Sequence, residues 1–160
     1  MKALIVYYSR TGVTKKIAEK MAKLLKSDIE EIKDTKDRSG IVGYMKGGHD
    51  AGLKKLTTIE KTKKSPEKYD IIIIGTPVWA WAMAPSIRTY IEQKKTRFSC
   101  IALFCTMGNS ARNTLNEMET IIGKKALAKI ELKAADIQKE KYHEEINNFV
   151  NVIKNFKEKN

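Results

Sequence analysis

Hydrophobic and polar positions along the chain fall into two alternating patterns. Ala3-Leu4-Ile5-Val6-Tyr7-Tyr8 and Ile71-Ile72-Ile73-Ile74 are continuous apolar runs, the pattern of parallel strands covered on both faces. Between such runs the apolar residues recur at helical spacing. Ile17, Met21 and Leu24 share one helical face, and Tyr142, Ile146, Phe149, Ile153 and Phe156 form a stripe in alternating steps of four and three, as expected of a helix packed on a sheet. Strands are predicted near residues 2–8, 28–33, 70–75, 99–105 and 127–132, and helices near 13–26, 41–63, 85–95, 110–123 and 139–157. Five strands alternating with five helices indicate an α/β doubly wound parallel sheet in three layers. The second helix has the weakest pattern. Gly40, Gly43, Gly47, Gly48 and Gly52 favour a loop in its first half, with regular helix only after Asp50.

The length of 160 residues suits a single domain over 1–160 with a real core. No apolar run approaches the roughly 20 residues needed to cross a membrane. The chain enters a strand where a signal peptide would lie, so a cytoplasmic location is expected. Cys100 and Cys105 have neither metal-ligand spacing nor the separation of a mutual bridge, and are expected to be core thiols. With 31 Lys and Arg against 19 Asp and Glu, the net charge is +12, which attracts anionic partners without naming one. The lysines are spread along the helices, not interleaved with aromatics, so nucleic acid is disfavoured.

Ligands of open α/β sheets bind outside the carboxyl ends of the strands, and three such ends carry distinctive residues. After the first strand, Ser9-Arg10-Thr11-Gly12-Val13-Thr14 sets hydroxyls and a glycine at a helix N-terminus, where free N–H groups and the helix dipole favour an anion. Taken alone, the segment reads more readily as an ordinary helix cap, and the rest of the chain decides against that. The third strand leads into Thr76-Pro77-Val78-Trp79-Ala80-Trp81, with two indoles able to stack on a flat ring or to cover the sheet edge; Pro85 suits the first turn of the next helix. The fourth strand leads into Thr106-Met107-Gly108-Asn109-Ser110, which can approach a heteroaromatic edge closely or can cap a helix through Asn109 or Ser110. Together the three loops describe a site for a mononucleotide with a planar tricyclic ring.

At these residues the chain resembles the flavodoxin family. Ser9–Thr14 matches an S/T-x-T-G-x-T phosphate loop, Gly75-Thr76-Pro77-Val78-Trp79 a G-S/T-P-V/I-W loop, and Thr106-Met107-Gly108 a T-x-G loop. The resemblance implies a five-stranded parallel sheet in order 2-1-3-4-5 holding non-covalent FMN. It assigns the phosphate to Ser9, Thr11, Gly12 and Thr14 with the amides of Arg10 and Val13. Trp79 would stack on the isoalloxazine, with Thr76, Pro77, Val78 and Ala80 along ribityl and ring. Thr106, Met107, Gly108 and Asn109 would meet the pyrimidine end, and Trp81 is left as a second stacking face or a lid.

The implied function is an FMN electron carrier passing electrons between redox partner proteins, without a catalytic acid or base and without a metal. The alternative is an FMN-dependent NAD(P)H:quinone or small-molecule reductase, with the segment 36–64 as a substrate cover. Flavodoxins are typically acidic, and this chain is basic. Its redox partners are therefore expected to be acidic, with the chain a monomer or weak dimer. Arg10, Lys15, Arg88 or Arg112, if near the flavin, would stabilise its fully reduced, anionic form.

Overall fold

The computed structural model describes residues 1–156. Its centre is a parallel sheet of β1 (Ala3–Tyr7), β2 (Asp28–Glu31), β3 (Ile71–Trp79), β5 (Cys100–Met107) and β6 (Lys129–Lys133), in spatial order β2-β1-β3-β5-β6. A two-residue strand, β4 (Ala82–Met83), pairs antiparallel with the end of β3. Setting that hairpin aside, the order is the expected 2-1-3-4-5. Register is set by the apolar runs: Leu4, Ile5 and Val6 lie opposite Ile72, Ile73 and Ile74, which lie opposite Ile101, Ala102 and Leu103.

The pleat sends alternate residues to opposite faces. Leu4, Val6, Ile72 and Ile74 join a core with α3 (Pro85–Lys94) and α4 (Thr114–Ile122), while Ile5, Ile71 and Ile73 join one with α1 (Val13–Leu25) and α6 (His143–Lys154). Pro85 opens α3, where its missing N–H costs nothing. The C-terminal stripe packs as expected through Tyr142, Ile146, Phe149 and Ile153, whereas Phe156 lies half-buried beyond the end of α6. The helix predicted over 139–157 is shorter, however, and is preceded by a separate short helix α5 (Ala134–Gln138); residue 157 lies outside the described residues. Glu140, between α5 and α6, takes a left-handed φ of 56° that interrupts helical winding.

The glycine-rich segment reverses the expectation. Helix α2 spans Gly40–Gly52, and residues 55–63 after it are irregular, not helical. Thr35 donates to Thr58, Glu60 to Lys33, and Asp34 bridges Ile59. Residues 54–64 are rich in lysine and threonine and have no apolar face to bury as a helix. The first half is helical because its glycines are spaced by four. Gly43 and Gly47 with Ala51 form its buried face.

Candidate functional site

All three predicted loops reach the same edge of the sheet, because β1, β3 and β5 are adjacent and parallel. In the first loop Gly12 takes φ 88°, a left-handed conformation that glycine adopts without strain, and its N–H donates to Ser9 Oγ at 3.1 Å. No side chain caps α1, and its first turn holds no acidic residue. The leading N–H groups therefore have no carboxylate competing for an anion. Ser9, Arg10 and Val13 are half-buried, Thr11 and Gly12 exposed, and Thr14 buried. The Arg10 guanidinium lies over the ring of Tyr44 at 4.9 Å, and its Nε is buried without a partner.

Thr14 Oγ1 and Thr106 Oγ1 are hydrogen-bonded at 2.8 Å in a buried contact that ties the first loop to the third. Met107 is buried beside Thr106, whereas Gly108 and Asn109 are exposed. Neither Asn109 nor Ser110 caps α4, which begins only at Thr114; Ser110 Oγ instead accepts from the N–H of Arg112 at 3.1 Å, closing a turn.

The middle loop is a tight hairpin. Val78 pairs with Met83 and Trp79 with Ala82, leaving Ala80 and Trp81 as the two turn residues with φ 46° and 61°. Such a turn favours Asn-Gly, and each non-glycine residue held left-handed costs about 1–2 kcal/mol. Thr76 is fully buried. Its hydroxyl accepts from the N–H of Ala84 at 3.0 Å and donates to the carbonyl of Pro77 at 2.9 Å, clamping the base of the hairpin. Pro77 and Val78 are half-buried, and Ala80 is exposed.

The two tryptophans differ. Trp79 is 8% exposed, edge-on to Tyr8 with ring centroids 5.5 Å apart, and covered by α2 where Gly47 meets its ring. Trp81 is 58% exposed, with the Arg112 guanidinium 4.1 Å from its ring centroid. The Thr114 hydroxyl donates chiefly to the carbonyl of Ala111 at 2.7 Å and shares that proton with the carbonyl of Trp81 at 3.2 Å.

A sequence model of the flavodoxin family matches residues 2–153. The chain belongs to the flavodoxin family. A flavoprotein from Lactobacillus acidophilus NCFM, solved in complex with FMN, is 28% identical, with 86% of this chain and 97% of that one covered and a TM-score of 0.71. The oxidised flavodoxin 1 from Bacillus cereus is 16% identical, with 98% and 100% covered and a TM-score of 0.57. A WrbA-like flavodoxin protein from Agrobacterium tumefaciens is 14% identical, with 98% and 99% covered and a TM-score of 0.57; these two likenesses concern the fold. No curated protein matches this flavodoxin-family chain.

Sequence reasoning passed over Tyr8, Tyr44 and Gly47 at this edge. The four-residue spacing of Gly43, Gly47 and Ala51 was the available signal, since small residues on one helical face permit close approach. Of the basic residues considered near the ligand, Arg88 is buried and paired with Glu117 at 2.9 Å. Arg10 and Arg112 remain at the loops. Neither histidine does: His49 lies on α2 beside Asp50, and His143 beside Glu140. Among the described residues no group of histidines, cysteines and carboxylates could hold a metal, and no helix is long and apolar enough to cross a membrane. Cys105 is buried, which pushes its thiol well up, and Cys100 is half-buried.

Proposed function

We propose that this flavodoxin-family protein binds FMN at the three loops and carries electrons between redox partner proteins. The observation that carries the reading is the open N-terminus of α1 and an exposed indole at the same edge of the sheet, with the first and third loops tied together by Thr14 and Thr106. Family membership and the FMN complex of the L. acidophilus relative support it. Bound FMN supplies electron transfer in one- and two-electron steps, and the protein supplies binding, orientation and electrostatics.

The phosphate takes the leading N–H groups of α1 with the hydroxyls of Ser9 and Thr11, and the unpartnered Nε of Arg10 suits an anion nearby. Thr14 contributes its N–H, and its hydroxyl proton as well where it accepts from Thr106. Trp81 meets the flavin ring as it stands, whereas Trp79 reaches it only if α2 withdraws. Gly108 and Asn109 face the pyrimidine end from the exposed part of the third loop. The reductase alternative draws support from α2, a glycine-rich cover lying over Trp79.

The test is titration of FMN into flavin-free protein, followed by flavin fluorescence, with Trp81→Ala and Trp79→Ala in parallel. Quenching complete at one equivalent and weakened by Trp81→Ala is expected, and an absence of binding would sink the proposal. Anaerobic NAD(P)H added to the loaded protein is expected to leave the flavin oxidised. Fast bleaching without a partner would transfer the assignment to the reductase.

A further inference from the structure

Helix α2 is amphipathic in the reverse sense. A helix at a protein surface ordinarily buries its large apolar side chains and exposes polar ones; α2 buries Gly43, Gly47 and Ala51 and turns Ile41, Val42 and Met45 to solvent at 81%, 65% and 68% exposure. Those three, with Leu53 just beyond the helix, occupy the arc opposite the buried one. The patch continues to the hairpin tip, because Gly52 lies against Ala80, next to the exposed Trp81. Of the nine large hydrophobic residues exposed among those described, six fall between Ile41 and Leu56 and a seventh is Trp81.

The polar groups around this ridge are nearly all of one sign. Lys46, Lys54 and Lys55 lie in the segment 39–56, whose single acid, Asp50, is held by Arg38 at 3.1 Å, and Lys54 also pairs with Glu117 of α4 at 3.0 Å. Arg112 stands over Trp81. Aliphatic side chains and an indole set among lysines are the composition of an interfacial helix, and indoles favour the headgroup level of a bilayer.

We propose that the outward face of α2, with Leu53 and Trp81, docks on the surface of an anionic lipid bilayer, lying in the interface without crossing it. A second copy is disfavoured by charge, since two chains of +12 would bring like-charged ridges together. A protein partner senses charge mainly over its own footprint, whereas an extended anionic surface attracts all the basic groups facing it, and the excess here is spread along the whole chain. Docked this way, α2 lies between the bilayer and Trp79, and the hairpin tip reaches the headgroups. The core of the ridge, Ile41, Val42, Met45 and Leu53, is exposed whatever the loops hold; Trp81 alone is shared with the flavin assignment, and its part in docking rests on that site being empty.

Sedimentation of the full chain with vesicles of phosphatidylcholine, with and without phosphatidylglycerol, tests it at physiological ionic strength. Binding is expected only where phosphatidylglycerol is present. Ile41→Glu combined with Met45→Glu is expected to lower partitioning about tenfold or more, and Lys46→Gln about fivefold. Val152→Glu, at an exposed apolar position on α6 away from the ridge, should change nothing. All these sites are exposed, and circular dichroism together with FMN titration establishes separately that each variant is folded and how it binds flavin. Failure to sediment with phosphatidylglycerol vesicles overturns the proposal. So does binding indifferent to the Ile41 and Met45 pair, which would reduce it to general attraction by lysines, and so does self-association abolished by that pair, which would assign the ridge to a second copy.

Discussion

A methyl group on Gly47 would lie 2.9 Å from Cζ3 of Trp79, a buried ring with little room to yield, whereas one on Gly48 would meet nothing within 4 Å. The two neighbours therefore separate packing from backbone preference. Alanine gains about 1 kcal/mol over glycine in a helix interior, and overpacking costs about 1–3 kcal/mol. Gly48→Ala is expected to stabilise the protein by up to about 1 kcal/mol, and Gly47→Ala to be neutral or destabilising by as much as about 2 kcal/mol, with a change in tryptophan emission as Trp79 is displaced. Urea unfolding followed by fluorescence measures both; equal stabilisation by the two substitutions would mean that α2 does not rest on Trp79. The same contact explains what the sequence concealed about the tryptophans. Both stand in one loop two residues apart, and nothing in their spacing tells which is covered, because the cover comes from a helix about thirty residues earlier.

At the level of elements, the parallel sheet was legible because each central strand is a continuous apolar run, its order only through the resemblance of the three loops to the flavodoxin family, and the C-terminal stripe because its period is unmistakable. Helix α2 was misread, since glycine counts as a helix breaker until a partner surface makes its missing side chain useful. A buried ion cluster also holds this helix in place. Arg38, 5% exposed, donates through Nε to Asp34 at 2.8 Å and through Nη1 to Asp50 at 3.1 Å, joining the loop before α2 to its last turns. Burial alone would raise the Asp50 carboxyl, but the hydrogen bond and charge of Arg38, with Lys36 and Lys55, outweigh it and hold it below the usual range. A depressed carboxyl contributes stability that is complete above its unfolded value of about 4 and is lost as pH falls through the lower folded value. Below about pH 4, α2 is accordingly expected to loosen before the sheet unfolds. Arg38→Met should reproduce this at neutral pH, because leaving buried carboxylates unpaired costs about 3–5 kcal/mol. Hydrogen exchange of the α2 amides against those of β1 and β3 provides the measurement, and uniform loosening of helix and sheet together would show that the cluster is not local to α2.

Across the whole molecule, the charge of +12 sets this chain apart from the acidic pattern typical of flavodoxins, and the fold determines which charges can matter to a bound flavin. Arg88, attractive from sequence, is committed to Glu117 inside the α3–α4 contact. Arg112, in the third loop, is left beside the exposed ring of Trp81, where a fully reduced, anionic flavin on the hairpin would experience it. An exposed charge contributes about 0.2–1 kcal/mol, equivalent to about 10–40 mV for a single electron. Redox titration of FMN-loaded protein is thus expected to give a second-electron potential that Arg112→Ala lowers by about 10–40 mV. The difference between the two proteins should shrink in high salt, since the Debye length falls to about 3 Å at 1 M. Arg88→Met offers the contrast: it leaves Glu117 with Lys54 alone and is expected to alter stability more than potential. A potential insensitive to Arg112 would mean that the flavin lies away from the Trp81 side of the hairpin, and the binding edge would then have to be drawn toward Trp79, with α2 displaced to admit the ring.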